Sequence, residues 1–147
     1  MVDKSQLLDE LRLAVGSVPD YARTLTDFYN GIVHKLVSKM NNQFSVCLYE
    51  TNVDRFIQVA FAGLSPCEEV IISFGEGLHS IAAIRGEMVF KVEGEMQLII
   101  APFYYGHHLI GVLSFQIPVA NYEISEDDLV FIKEVTRFIE SNYKYYK

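Results

Sequence analysis

Apolar residues recur along this chain with two different periods. Over residues 5–40 they fall three and four apart, the spacing of a helix with one buried face. Leu7, Leu8, Leu11 and Val15 place a first helix from Ser5 to about Val15, where Gly16 and Ser17 interrupt the stripe. Pro19 suits the first turn of a second helix. The stripe Leu25, Phe28, Ile32, Leu36 and Met40 carries that helix to about Met40, where Asn41 and Asn42 stop it.

Over residues 43–117 the apolar residues gather in short runs parted by turn formers, the mark of strands. The runs predict strands at Phe44–Tyr49, Arg55–Ala62, Val70–Phe74, Met88–Val92, Met96–Tyr105 and Leu109–Ile117. The residues Thr51 to Asp54 read as a hairpin turn and Gly63 to Glu69 as a loop. After the third strand, Gly75-Glu76-Gly77 leads into a short helix over residues 78–85, and Gly86 is its natural stop. Helical spacing returns over residues 125–143, behind Ser125 and Asp128, a cap-type start. This order predicts an α+β fold, a six-stranded antiparallel sheet. The N- and C-terminal helices cover one face; the short helix and loops cover the other. In the sixth strand Leu109, Leu113 and Phe115 fall on one side and Ile110 and Val112 on the other, so both faces are expected to be covered.

Composition narrows the function. The chain has 147 residues, half of them apolar, enough for one domain over residues 1–147. A formal net charge of −7 with no basic run argues against nucleic-acid binding. No apolar run reaches the ~20 residues of a spanning helix, and the acidic start, MVDKSQLLDELR, is no secretory signal. Two cysteines, Cys47 and Cys67, make no disulfide framework and fit a reducing cytoplasm.

Two segments carry a resemblance: FGEGLHSIAAIRGEMVF and APFYYGHHLIGVLSFQIPVANYEISEDDLVFIKEVTRFIE. In the first, a strand ends in a Gly-rich turn, a helix ends in Gly-Glu, and a strand follows. In the second, Ala101-Pro102-Phe103, Ile110-Gly111-Val112-Leu113 and Ser125-Glu126-Asp127-Asp128 come in order. Together they resemble the GAF domain family over about Phe44 to Glu140. The resemblance implies a sensor or regulatory domain in signal transduction, one that binds a small molecule and dimerises through its terminal helices. It also implies a departure. Many members carry a long lid between the fourth and fifth strands, where this chain has only Glu93-Gly94-Glu95. One GAF-like family reduces free methionine sulfoxide with cysteines just after the Gly-rich turn and in that long loop. Here the first position reads Gly77-Leu78-His79, and the loop is missing.

Several features have both a structural and a functional reading. Gly75-Glu76-Gly77 is a turn needing positive φ, or else an anion seat at the helix start, which Glu76 opposes. His34, His107 and His108 read as surface residues, and no histidine or cysteine spacing supplies a metal site. His79 is kept as a ligand contact or a group titrating near neutral pH, because the short helix lines the expected pocket. Strand aromatics are core by default, yet Tyr49, Phe61, Phe74, Phe103 and Tyr105 stand near strand ends. With Glu76, His79 and Ser80 they form the candidate ligand-binding set. The last helix is apolar over a wide arc (Leu129, Val130, Phe131, Ile132, Val135, Phe138, Ile139), which suggests either a two-fold dimer or packing of the first helix onto the last.

The expectation is then a cytoplasmic, homodimeric sensor with a small-molecule ligand, a signalling partner, no metal, no cofactor and no enzymatic activity. The first alternative is a ligand-free interaction or dimerisation module. The second is a small redox enzyme related to the sulfoxide reductases.

Overall fold

The computed structural model describes residues 3–38, 44–63, 71–75, 77–120 and 122–146. Asp3 opens the first helix, α1 (Lys4–Gly16), by accepting the Ser5 N–H at 3.1 Å. The second helix does not begin at Pro19. Residues Val18–Asp20 make a single 3-10 turn, and α2 runs over Leu25–Ser38. The reason is a reciprocal cap. The Thr24 hydroxyl accepts the Asp27 N–H at 3.1 Å, and the Asp27 carboxylate accepts the Thr24 N–H at 3.3 Å. Met40 and the two asparagines lie outside the described residues.

The strands are β1 (Ser45–Asn52), β2 (Arg55–Ala62), β3 (Ile71–Ser73), β4 (Val89–Glu93), β5 (Met96–Tyr105) and β6 (His108–Pro118). Between β3 and β4 stands α3 (Gly77–Arg85), and α4 (Glu126–Tyr143) follows β6. All six strands form one antiparallel sheet in the order β3-β2-β1-β6-β5-β4. This is the α+β architecture the sequence predicts. Its central pair, β1 with β6, joins segments far apart in the chain.

One face of the sheet, the back, carries α1, α2 and α4. Leu8, Leu11, Phe28, Ile32, Leu36, Phe131, Ile132 and Ile139 meet Val46, Leu48, Ile99, Phe103, Leu113 and Phe115 in one buried cluster. Enclosing each large apolar side chain there contributes roughly 1.5–3 kcal/mol. The helix ends are tied as well. Asp128 is buried at the start of α4. Its carboxylate accepts from Lys4 Nζ at 2.9 Å, from the Ser125 N–H at 2.8 Å and from the Tyr122 hydroxyl. Burial first, then Asp128, pushes the Tyr122 pKa up.

The other face, the front, holds a smaller cluster of Cys47, Tyr49, Phe56, Ile72, Ala82, Ile100 and Val112. One detail reverses the expected alternation. Phe103 pairs with Gly111 and Tyr104 with Leu109, so Ile110 is an extra residue, a bulge. Past it the faces exchange: Leu109 packs on the front cluster and Ile110 on the back one. Gly111 is required beside it. A Cβ there would lie 2.0 Å from the Tyr49 carbonyl oxygen and 2.9 Å from the Phe103 ring. Among the described residues no helix is long and apolar enough to cross a membrane.

Candidate functional site

The front face is roofed by α3. Gly75 (φ 96°) and Gly77 (φ 67°) turn the chain from β3 into that helix through left-handed backbone, which side chains with a Cβ resist. Nothing stands within 4 Å of where either Cβ would be, so the requirement is conformational rather than spatial. The Gly75 N–H donates to the Ser80 hydroxyl oxygen at 2.8 Å, folding the turn back on the helix. Glu76 lies outside the described residues.

His79 enters the sheet from the first turn of α3 and is 1% exposed. The Tyr49 ring meets it edge-on with centroids 4.7 Å apart, and the Phe56 ring lies 6.0 Å away. Neither ring nitrogen has a hydrogen-bond partner among the described residues. Burial lowers its pKa to about 4, so the imidazole is neutral at pH 7 and does not titrate near neutrality, against expectation. A neutral imidazole has one N–H to give and one lone pair to fill. Tyr29 and Gln58 each leave one polar atom similarly enclosed. The Tyr29 hydroxyl lies close to the Glu50 carboxylate, outside hydrogen-bond geometry, and burial, then that charge, raise its pKa. Of the three, His79 alone leaves two polar side-chain atoms orphaned.

Beside this aromatic group the front is hollow. A cavity of about 170 Å³ is lined by Phe56, Phe74, Gly75, Ser80, Ala83, Ile84 and Leu109. Phe74 closes one end by stacking edge-on against Phe56 at 4.8 Å. Of the sequence-derived set, Phe74 and Ser80 line this hollow; Tyr49 and His79 are buried beside Phe56 and do not line it, and Phe61 packs at the margin of the same cluster. Phe103 and Tyr105 are not there. Phe103 is buried on the back against Tyr29, and the Tyr105 ring lies tilted against Tyr143 of α4 with centroids 5.3 Å apart. Both belong to the half of β5 that faces the helices. Phe56, Ala83, Ile84 and Leu109 join the site unannounced. The bulge at Ile110 moved Leu109 here, and no local signal in the sequence marks it. Phe56 stands at the opposite end of its strand from the expected Phe61, which only pairing with β3 could reveal.

The other chemistry is sparse. His34, His107 and His108 are exposed, as expected. No group of His, Cys, Asp or Glu among the described residues could hold a metal ion. Cys47, fully buried in the front cluster, is disulfide-bonded, so cysteine usage no longer argues for a reducing compartment. The chain's one other cysteine, Cys67, lies outside the described residues.

No protein-family model matches the sequence, and no curated protein matches it. Solved structures do. The GAF domain of an Acinetobacter phosphoenolpyruvate-protein phosphotransferase superposes with a TM-score of 0.77 at 20% identity, over 99% of this chain and 96% of that one. The chain has a GAF-like fold. A second GAF domain, from the Coxiella burnetii phosphoenolpyruvate-protein phosphotransferase, superposes at 0.78 with 17% identity, over 98% and 96% of the two chains. So does an enzyme. The free methionine-R-sulfoxide reductase of Neisseria meningitidis, in complex with its substrate, gives 0.81 at 19% identity, over 98% and 92%. The expectation that this chain is no enzyme is corrected on that finding, because the same GAF-like fold serves catalysts as well as sensors.

Proposed function

We propose that this GAF-like domain is a receptor for a small molecule held on the front face under α3. The observation that carries the reading is His79, enclosed and neutral, with both ring nitrogens unpartnered among the described residues. Leaving such groups unsatisfied costs about 1–3 kcal/mol. The adjoining hollow of about 170 Å³ admits a molecule the size of an amino acid; His79 does not itself line it, so a ligand bearing an acceptor and a donor recovers that cost when α3 shifts to bring the imidazole to the hollow. No lid closes over it from the β4–β5 turn, where Gly94 and Glu95 alone separate the strands.

Output runs through the helices on the back. Leu13 of α1 and Val130 of α4 are 76% and 52% exposed, an apolar surface suited to a second copy of the chain. Ligand binding that stiffens α3 against the sheet biases that pairing. A thermal-shift panel of amino acids, nucleotides and nitrate tests the receptor. At least one compound at a hundredfold excess over its Kd should stabilise the fold by about 2.7 kcal/mol, and His79→Leu should abolish the gain. No shift across the panel, with no small molecule co-purifying by mass spectrometry, refutes the receptor and leaves the interaction module.

A second reading has its own observation, the disulfide at Cys47 inside the front cluster. A sulfoxide reduced by two thiols gives a sulfide, a disulfide and water, so the oxidised cysteine matches the product state of that reaction. Turnover of free methionine sulfoxide with a thiol reductant, lost in Cys47→Ser, supports it. Turnover that survives the substitution rules out a mechanism through Cys47.

A further inference from the structure

A second cleft, of about 370 Å³, lies between α4, the outer edge of β5 and the turn from α3 into β4. It shares no lining residue with the front hollow. Its volume lies within the range of small-molecule sites.

The sheet makes it by stopping short. β4 pairs with β5 only from Met96 to Ile100, while β5 runs on to Tyr105. The stretch from Ala101 to Tyr105 has no strand on its outer side among the described residues. Pro102 brings no N–H to it. The Tyr104 N–H is taken by the Glu140 carboxylate of α4 at 2.7 Å, which fixes an acid in the cleft. Burial, then Glu140, raises the Tyr104 pKa. Lys133 and Arg137, one helical turn apart on α4, line the same space, as does Glu87 from the α3–β4 turn. None of these four charged groups forms an ion pair among the described residues. Met88, Ala101 and Pro102 add an apolar floor.

We infer that this cleft binds a small zwitterion, its carboxylate toward Arg137 and Lys133 and its ammonium toward Glu140 and Glu87. Two cations and two carboxylates surround the space, so a simple anion or cation meets as much repulsion as attraction. A molecule carrying both signs satisfies both. The guanidinium fork of Arg137 matches a carboxylate in plane, and a short carbon skeleton fits the floor.

The test is amide NMR titration of the full chain with glycine, β-alanine and glycylglycine, with acetate and methylammonium as singly charged controls. At least one zwitterion should shift the Tyr104, Thr136 and Arg137 amides saturably. Its affinity should weaken about tenfold or more, a difference of 1.4 kcal/mol, in Arg137→Gln and in Glu140→Gln. Arg137 is exposed, so its variant should fold, which circular dichroism verifies. Three outcomes overturn the assignment: no shift at those amides up to tens of millimolar, an equal response to acetate, or shifts confined to Phe74 and α3.

Discussion

On the back of the sheet a buried carboxylate, Asp128, is met by Lys4, Ser125 and Tyr122. On the front a buried imidazole, His79, is met by rings alone. The two groups are about equally enclosed, 6% and 1% exposed. The back therefore satisfies its buried charge, although the Tyr29 hydroxyl there is unpartnered among the described residues, and the front leaves both nitrogens of its imidazole unpartnered. Three helices cover one side, with a hollow of about 40 Å³ left between them and the sheet. The single short α3 covers the other and leaves Phe74, Ile81 and Ile84 partly or largely in solvent. A fold that satisfies one buried charge with three donors has the means to pair a second group. On the receptor reading proposed above, the orphaned His79 is where an outside molecule would complete the structure.

The contrast can be broken by truncation. Phe28→Ala, at a site 0% exposed behind the sheet, should cost about 4 kcal/mol by urea unfolding. Ile84→Ala, 82% exposed on α3, should cost under about 0.5 kcal/mol. Equal losses would mean that the front is as tightly packed as the back.

The next effect is on pH. His79 has a pKa of about 4 when folded, against 6.5 for the unperturbed group. Between those values the unfolded chain binds more protons. The contribution is complete above pH 6.5 and is lost as pH falls toward 4, by about 3 kcal/mol in all. His79→Leu lacks this loss, so its stability relative to the native chain should rise as pH falls through that window. An unchanged slope would show that His79 reaches water.

Reduction of the Cys47 disulfide should destabilise the chain by about 2–4 kcal/mol in parallel melts with and without a reductant. A front face whose stability ignores reductant would detach the disulfide from the packing around Tyr49 and Phe56. A smaller effect belongs to an ion pair on the back. Lys4 is about a third exposed, so Lys4→Met should cost about 1 kcal/mol by denaturant titration. A loss several times larger would make Lys4 the main support of Asp128.

Legibility followed how local each feature is. The strand β2 was readable from Arg55 to Ala62, and β5 from Met96 to Tyr105, because alternation and flanking turns lie in adjacent residues. At the start of α2 the local signal of Pro19 points to one boundary, and the Thr24–Asp27 cap sets another. The site was half legible. His79 and Ser80 follow from their place on α3. Phe103 and Tyr105 were lost to the other face of β5, and Leu109 was gained through a bulge that depends on pairing with Tyr104.

By itself, then, the chain determined its elements, its antiparallel class and the helix that carries His79, since these rest on periods and turns spanning a few residues. Only the tertiary structure decided which face each aromatic joins, that Cys47 is oxidised, and that β5 outruns β4 to open a second cleft. Those outcomes depend on register and on contacts between segments distant in sequence, and a one-residue shift in pairing exchanges the faces.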